Sequence, residues 1–594
     1  MINKWKLNNF KSIGNEQEFT FRPLTIFTGA NSSGKSTVLQ SILLITQTLQ
    51  DPISSRSIVL NGGIKKFGSY DDIVNNKDIS KNIKFGFEIS PAEDFIDDLN
   101  IGAVRLFQLE STKCNFEISS DGIPNNLQPS LVETKLERIR EKDSSIRIFK
   151  SDEYSEEEQK VIDKYSNRIS PTALKYKIEN KIHVDPFFRI RTTGKHLGTS
   201  LRHFLPEFTF YYHTYNDTIK KYVEETLLQK NKYYIEDDIK KEKTKIHKAI
   251  KKEFQKIAGE IKTEYKNHNI EDEYNVLTKN NPSLKDIRTL FSKLNVTDSQ
   301  KYITRLKDRV ATEFEDKPIL EDPVPIFFMS SSINTVQEYF GSNIKYLGPL
   351  REEPKALYPL ANGLSSTDVG LKGENTAAVF ENNKNKIVSY IDPADIENTD
   401  CKTLKKQKDT LKIVIAKWLK YLGVANDIIT NDKGKFGHEL NIETEGNKIK
   451  QDLTHVGVGV SQVLPILVMS LLAKKGDVLI MEQPELHLHP KVQTRLADFF
   501  ITMNALGKQC LIETHSEYLI NRLRYFVAIS DDSKIAKETM IYFVEKDKQT
   551  GCSKYREVTI NKYGVIEDWP DGFFDESQKQ SEAILKAGME KKNE

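Results

Sequence analysis

The chain has 594 residues, 38% of them hydrophobic and 29% charged, which is enough for several domains of ~100–200 residues each and a sizeable core. No apolar run approaches the roughly 20 residues that span a bilayer, so no membrane partner is expected. The formal net charge of +2 neither favours nor excludes a nucleic-acid partner. Cys114, Cys401, Cys510 and Cys552 show neither metal-ligand nor paired spacing, and "MINKWKLNNF" lacks an apolar leader, so a reduced, cytoplasmic compartment is the expectation.

In chain order, "KWKLNNF" alternates apolar and polar residues and predicts a strand. "PLTIFTG" is a short apolar run ending at Gly29, and "KSTVLQSILLITQTLQ" has helical spacing. Where they meet lies "GANSSGKST", which fits G-x-x-x-x-G-K-[ST]. Gly29 and Gly34 frame Asn31, Ser32 and Ser33, while Lys35, Ser36 and Thr37 open the helix. Glycines let the backbone curl so that its N–H groups face phosphate oxygens, and the helix N-terminus adds the positive end of its dipole. In such a loop the lysine reaches the β- and γ-phosphates and the next hydroxyl binds Mg²⁺, the roles given to Lys35 and Ser36. "FGSYDDIV", "IKFGFEIS" and "KCNFEIS" then read as loop and strand pieces of a mixed sheet.

From 124 to 325 Glu and Lys dominate, glycine is rare, and long helices are predicted. Ile235, Ile239, Ile246, Ile250, Phe254, Ile257 and Ile261 recur at steps of four, seven, four, four, three and four, which places them on one helix face. A second helix running from "SLKDIRTLFSKL" through "SQKYITRLKDRVATEF" would pair with it. The other faces carry Lys240, Lys241, Lys243, Lys245, Lys248, Lys251 and Lys252. One reading is a solvated helical hairpin; the other is an arm that touches the phosphate backbone of DNA or RNA, or a partner subunit.

After 326 the α/β texture returns. "PIFFMSS" and "IKYLGPL" read as strands and "LKIVIAKWLKYLGV" as a helix. "SQVLPILVMSLLAKK" and "VQTRLADFFITMNAL" read as helices, each followed by a strand, "DVLIMEQ" and "KQCLIETHS". Such alternation implies parallel strands joined by right-handed crossovers. The simplest architecture is one α/β nucleotide-binding domain split by a long helical insertion.

"VLIMEQPELHLHP" ends an apolar strand in Glu482, where a carboxylate can hold Mg²⁺ directly or through its water. Gln483 follows, then Glu485, which reads either as a functional acid or as a loop-capping one. His487 and His489 have H-x-H spacing, but no further Cys or His pair accompanies them. "CLIETHS" delivers Glu513, His515 and Ser516 to another strand end, where a histidine can sense or orient a γ-phosphate. "DLTHVGVGVSQVLPIL" sets Gly457, Gly459, Ser461 and Gln462 before a buried helix, a second phosphate-facing helix start. Arg351, in "LGPLREEP", is a candidate phosphate or interdomain contact, with a surface ion pair as the alternative.

With these elements in this order, the chain resembles the ABC-type ATPase heads of the SMC, RecF and OLD group. The matching pieces are the Walker A loop at 29–37, a signature-like region at 457–462, the Walker B strand ending at Glu482, the D-loop "ELHLHP" and the switch histidine His515. The resemblance implies a split P-loop ATPase with an N-terminal lobe over 1–123, a mainly helical insertion over 124–325, a C-terminal lobe over 326–560 and a tail over 561–594. It implies ATP and Mg²⁺ as cofactors, Ser36 and Glu482 as metal ligands, and Gln483, Glu485 and His515 as the catalytic set. It also implies a homodimer or higher oligomer in which each signature region meets the γ-phosphate held by the other copy. If Gly459 is the key signature glycine, Gly457 occupies the usual serine position; Ser461 fits only in another alignment.

Gln483 falls where the group's catalytic glutamate normally stands. An amide orients water but cannot take its proton, so slow turnover is expected, with Glu485 or Glu513 as the available carboxylate. "LGPLREEP", "THVGVGVSQVLP", "EQPELHLHP", "ETHSEYLINRLR" and "EDWPDGFFDE" together resemble one bacterial subfamily of these ATPases, with relatives in antiphage defence that include PtuA, the ATPase subunit of Septu systems, which implies a separate nuclease partner. About 80 residues follow "ETHS", and Glu545 and Asp547 lack a second acidic motif of the kind a Toprim nuclease carries. A repair or chromosome-maintenance ATPase and a nucleotide-gated scaffold are the alternative functions.

Overall fold

The computed structural model describes residues 1–594 except 91–110, 140–144, 152, 182–193, 229–236, 265–275, 280, 327–328, 359–366, 399–403, 445–446, 456, 531–533, 568–569, 571–573, 575 and 594. Six strands form the central sheet in the order Ile344–Leu347, Val478–Glu482, Gln509–Glu513, Leu24–Gly29, Thr539–Lys546, Ser553–Val558. The first five run parallel, and the last pairs antiparallel with its neighbour. Leu24–Gly29 comes from the start of the chain and the other five from beyond residue 343, so the sheet is split in sequence as the α/β alternation predicts.

The central strands of this sheet are covered on both faces. Val478 and Ile480 pack into one core with Phe27, Leu511 and the Lys35–Gln50 helix. Leu479 and Met481 pack into the other with Ile26, Ile512 and the helices Leu411–Leu422, Gly459–Leu472, Pro490–Ala505 and Glu517–Ile529. The period of two along a strand thus feeds two cores from one short apolar run.

The first core is closed by a seven-stranded antiparallel sheet, in the order Gln17–Thr20, Ile2–Asn8, Ile83–Ile89, Thr112–Ser119, Ser130–Arg138, Ser145–Lys150, Tyr176–Lys181. Three of these strands lie beyond residue 124, in the stretch expected to be mainly helical. Two more, Lys195–Arg202 and Leu205–Thr214, belong to a four-stranded sheet with Pro318–Leu320 and Val324–Pro325. The helical insertion is therefore narrower than its Glu/Lys composition predicted. Other differences are local. Tyr70–Ile73, in "FGSYDDIV", is a short helix. In "PIFFMSS" the strand stops at Pro325 and a helix starts at Ser330.

The insertion's helices are Tyr215–Leu228, Asp237–Glu264, Leu284–Lys293 and Val296–Ala311, around a core of their own. Ile239, Ile246, Ile250, Phe254, Ile257 and Ile261 are all buried at the predicted spacing, while Ile235 lies outside the described residues. The predicted second helix is two. Leu294 is extended, and the Asn295 side chain caps the next helix by accepting the Asp298 N–H at 2.9 Å. Part of the lysine-rich face is neutralised within the arm: Lys245 pairs with Glu242 at 3.6 Å and Lys252 with Glu313. Among the described residues no helix is long and apolar enough to cross a membrane.

Candidate functional site

The parallel register brings the chemistry-bearing ends of three strands to one edge. Glu482 lies opposite Glu513, Glu513 opposite Phe27, and Gly29 opposite Val544. In open parallel sheets such carboxyl-end crevices are where ligands bind. Gly29 leaves its strand at φ +140°, and a Cβ there would lie 2.2 Å from the Val544 carbonyl oxygen. Gly34 turns into the helix at φ +100°, where a Cβ would lie 2.1 Å from Ser553 Oγ and 2.4 Å from Ser12 Oγ. Both positions need glycine for conformation and for space.

Three residues that the motif does not contain hold the loop in shape. Tyr555 donates its hydroxyl to the Gly34 carbonyl at 2.7 Å. Ser553 Oγ donates to the Ser33 carbonyl. Ser12 Oγ and Thr37 Oγ1 are hydrogen-bonded at 2.8 Å. Ser553 and Tyr555 arrive on the last strand of the sheet, more than 500 residues away, and no local pattern marks them.

A cleft of about 600 Å³ opens above the loop. Asn31, Ser32, Gly34, Lys35, Ser36 and Thr37 line it from the loop, Lys11, Ser12 and Gln40 from one side, and Gln483, Glu513 and His515 from the neighbouring strand ends. Ser33 is buried beneath, and its hydroxyl has no partner. Lys35 is buried and donates to the Ala30 carbonyl at 2.6 Å; burial lowers its pKa, against the pull of Glu513 and Glu485. Lys11, which sequence reasoning missed, donates to Gln40 Oε1 at 2.6 Å. Burial, and then the charge of Lys65, brings its pKa down to about 8. Burial followed by the Lys35 charge lowers the pKa of His515, which favours its neutral imidazole.

The acids fall into different environments. Glu482 is buried and does not line the cleft: Oε1 accepts the Tyr346 hydroxyl at 3.0 Å, with Lys65 Nζ at 3.8 Å. Gln483 turns out of the strand at φ 46°, its N–H donating to the Glu513 carbonyl at 2.8 Å. Glu485 is buried, and its Oε1 accepts the His515 N–H at 2.6 Å; burial raises its pKa. Glu485 thus ties its own loop to the His515 loop and stays out of the cleft. Glu513 is 4% exposed. Burial raises its pKa, against a hydrogen bond from the Ser36 hydroxyl that lowers it, and one carboxylate oxygen has no partner.

None of Gly457, Gly459, Ser461 or Gln462 lines this cleft. Gly457 is exposed, and Gly459 begins the Gly459–Leu472 helix with Leu488 of "ELHLHP" nearby. Ser461 and Gln462 are buried, and Ser461 Oγ donates back to the Val458 carbonyl at 2.7 Å. Arg351 is no surface ion pair: it is 8% exposed, its Nη1 lies 3.5 Å from the Glu482 carbonyl oxygen, and its Nε and Nη2 have no partner. Burial brings its pKa down to about 10. His489 Nδ1 accepts the Lys491 N–H at 3.2 Å as a helix cap. Among the described residues no group of three or more His, Cys, Asp and Glu is placed to hold a metal ion. Asp547 accepts the Gln549 and Thr550 N–H groups, each at 2.9 Å, in the turn between the last two strands of the sheet.

Among solved structures, the chain is similar to the SMC head domain of Pyrococcus furiosus, with an extended coiled coil and bound to the C-terminal domain of ScpA. Identity is 11%, over 98% of this chain and 99% of that one, with a TM-score of 0.34. The SMC head domain of Thermotoga maritima gives 8%, 94%, 99% and 0.29 in the same order, and an SMC head with coiled coil and joint from Pyrococcus yayanosii gives 14%, 94%, 97% and 0.31. No curated protein matches the sequence. A family model described as a protein of unknown function matches residues 536–584. The model of the AAA ATPase domain matches residues 1–520, a span that takes in the phosphate loop, the Glu482 and Glu513 strand ends and His515. By that match the chain belongs to the AAA ATPase domain family.

Proposed function

We propose that this chain binds ATP with Mg²⁺, hydrolyses it slowly, and uses the bound nucleotide to join two copies of itself and thereby control a separate effector. The observation that carries this reading is the division of the site. The phosphate-loop cleft is lined by Lys35, Ser36, Gln483, Glu513 and His515, and by none of Gly457, Gly459, Ser461 and Gln462, which supports a nucleotide sandwich completed by a second copy. Gly457 and Gly459, at the start of the Gly459–Leu472 helix, are the groups that would meet the γ-phosphate of a second copy.

The residues present suit a nucleotide and its cation. The two left-handed glycines shape a loop that only a backbone without Cβ can form. Lys35 bonds the loop's own Ala30 carbonyl and can exchange that bond for phosphate oxygens. Ser36, with Glu482 or Glu513, offers oxygen ligands to a hard cation. Mg²⁺ bound there supplies charge neutralisation to the phosphates. Gln483 can orient water by hydrogen bonding but leaves its proton in place, and His515, favoured as the neutral imidazole, can accept or donate one hydrogen bond to a phosphate oxygen. Positioning survives and base catalysis is weakened, which supports a long-lived bound state.

The likeness to PtuA supports a role in antiphage defence with a nuclease on another chain. The engagement of Asp547 in a hairpin turn supports the same separation. The test is nucleotide binding together with phosphate release. Wild type should retain ATP and release phosphate well below the median enzyme rate of about 10 s⁻¹. Lys35→Ala should lose retention. Equal retention by both, or release at tens per second, contradicts the proposal. Co-purification with neighbouring gene products, with and without ATP, would identify the effector.

A further inference from the structure

We propose that Glu513, rather than Glu482, is the carboxylate that works with Ser36 on the cation side of the site. This rests on the ATP and Mg²⁺ reading above and refines it.

The lining of the cleft points to Glu513. Ser36, the loop group that would bind a cation, lines the same cleft as the Glu513 carboxylate. Glu482 spends Oε1 on the Tyr346 hydroxyl at 3.0 Å, with the Lys65 ammonium at 3.8 Å. Glu513 lines the cleft and Glu482 does not. Glu513 is also 4% exposed while one of its oxygens has no partner. A buried carboxylate oxygen without a donor is costly, and a cation beside Ser36 would compensate it.

The sheet explains how the role can move. Glu482 and Glu513 are register partners on adjacent parallel strands, so their Cα atoms sit about one strand spacing, roughly 4.8 Å, apart. Stepping one strand toward the phosphate loop carries the acid from Glu482 to Glu513, whose own register partner is Phe27 of the phosphate-loop strand. The surroundings divide in the same sense. Glu482 is left with Tyr346, Lys65 and the Arg351 guanidinium near its backbone, an enclosed and already compensated setting. Glu513 shares the cleft with Ser36 and Lys35. Mg²⁺ is commonly held by one or two carboxylates completed by phosphates and water, so a serine and a single acid suffice on the protein side.

The test is titration calorimetry on the full chain with a non-hydrolysable ATP analogue, run across Mg²⁺ concentrations and again in chelator. Glu513→Gln should raise the half-saturating Mg²⁺ about 10–100-fold, while analogue binding in chelator is retained or tightened because the substitution removes a negative charge from the cleft. Glu482→Gln should shift it less, and Glu513→Asp should give an intermediate shift. An unshifted Glu513→Gln, or a larger shift in Glu482→Gln, overturns the assignment. Melting in chelator shows whether Glu513→Gln is folded; if it is not, Glu513→Asp decides, and an unshifted Asp variant overturns the assignment equally. Wild type whose analogue binding ignores Mg²⁺ would instead remove the underlying reading, and this assignment with it.

Discussion

Gln483 concentrates the kinetic argument in one side chain. It sits at the mouth of the Val478–Glu482 strand in a left-handed conformation and faces the cleft with Lys35, Glu513 and His515. Replacing its amide by a carboxylate supplies a proton acceptor at the cleft. Gln483→Glu should therefore raise steady-state phosphate release by roughly 10²-fold or more, with ATP affinity changed little. An unchanged rate would mean that proton removal does not limit turnover. Lys35, Ser36, Gln483 and His515 were legible because each sits in a short contiguous motif at a strand end. Tyr346, Lys65, Ser12 and Tyr555 were not, because they reach the site from elements far apart in sequence and no spacing connects them. Arg351 was legible as a candidate, but its burial against the Glu482 backbone follows only from the packing of the strands.

At the scale of elements, the phosphate loop depends on backbone shapes that a side chain would break. Gly29→Ala places a Cβ in a φ +140° conformation 2.2 Å from the Val544 oxygen. Strain of this kind costs about 1–3 kcal/mol, before the clash is counted. Chemical denaturation should show at least that loss, together with failure to retain ATP; unaltered stability would contradict the geometry. The central strands were readable because apolar residues dominate them, and the Asp237–Glu264 helix because its few apolar residues recur at helical spacing. The Ser130–Arg138 strand was not. Leu131, Thr134 and Leu136 are buried, but Glu133, Lys135 and Glu137 fill the outer positions and a bulge in the pairing with Thr112–Ser119 shifts the register. The Glu/Lys composition therefore resembled a solvated helix while the backbone ran in a sheet.

Across the whole molecule, one sheet joins two cores, and the insertion carries a third built from its own helices. That separation suits an arm that meets a partner while the lobes handle nucleotide. Reversing Lys243, Lys248 and Lys251 to Glu should leave ATP retention unchanged. If the arm meets duplex nucleic acid, it should also weaken that binding and flatten its salt dependence by about 0.9 in log–log slope for each phosphate that the lysines no longer neutralise. Unchanged binding would return the arm to a role against protein. Because the proposed sandwich would divide the site between two copies, the most direct test of the account is a sedimentation measurement of molecular mass with and without ATP and Mg²⁺. At Gly459 an added Cβ meets only Val424 at 3.6 Å and Leu488 at 4.0 Å, so Gly459→Glu can fold while setting a negative charge where a second copy's phosphate would sit. Wild type should double its mass with ATP and Gly459→Glu should not. A wild-type mass that stays monomeric at saturating ATP would contradict the account.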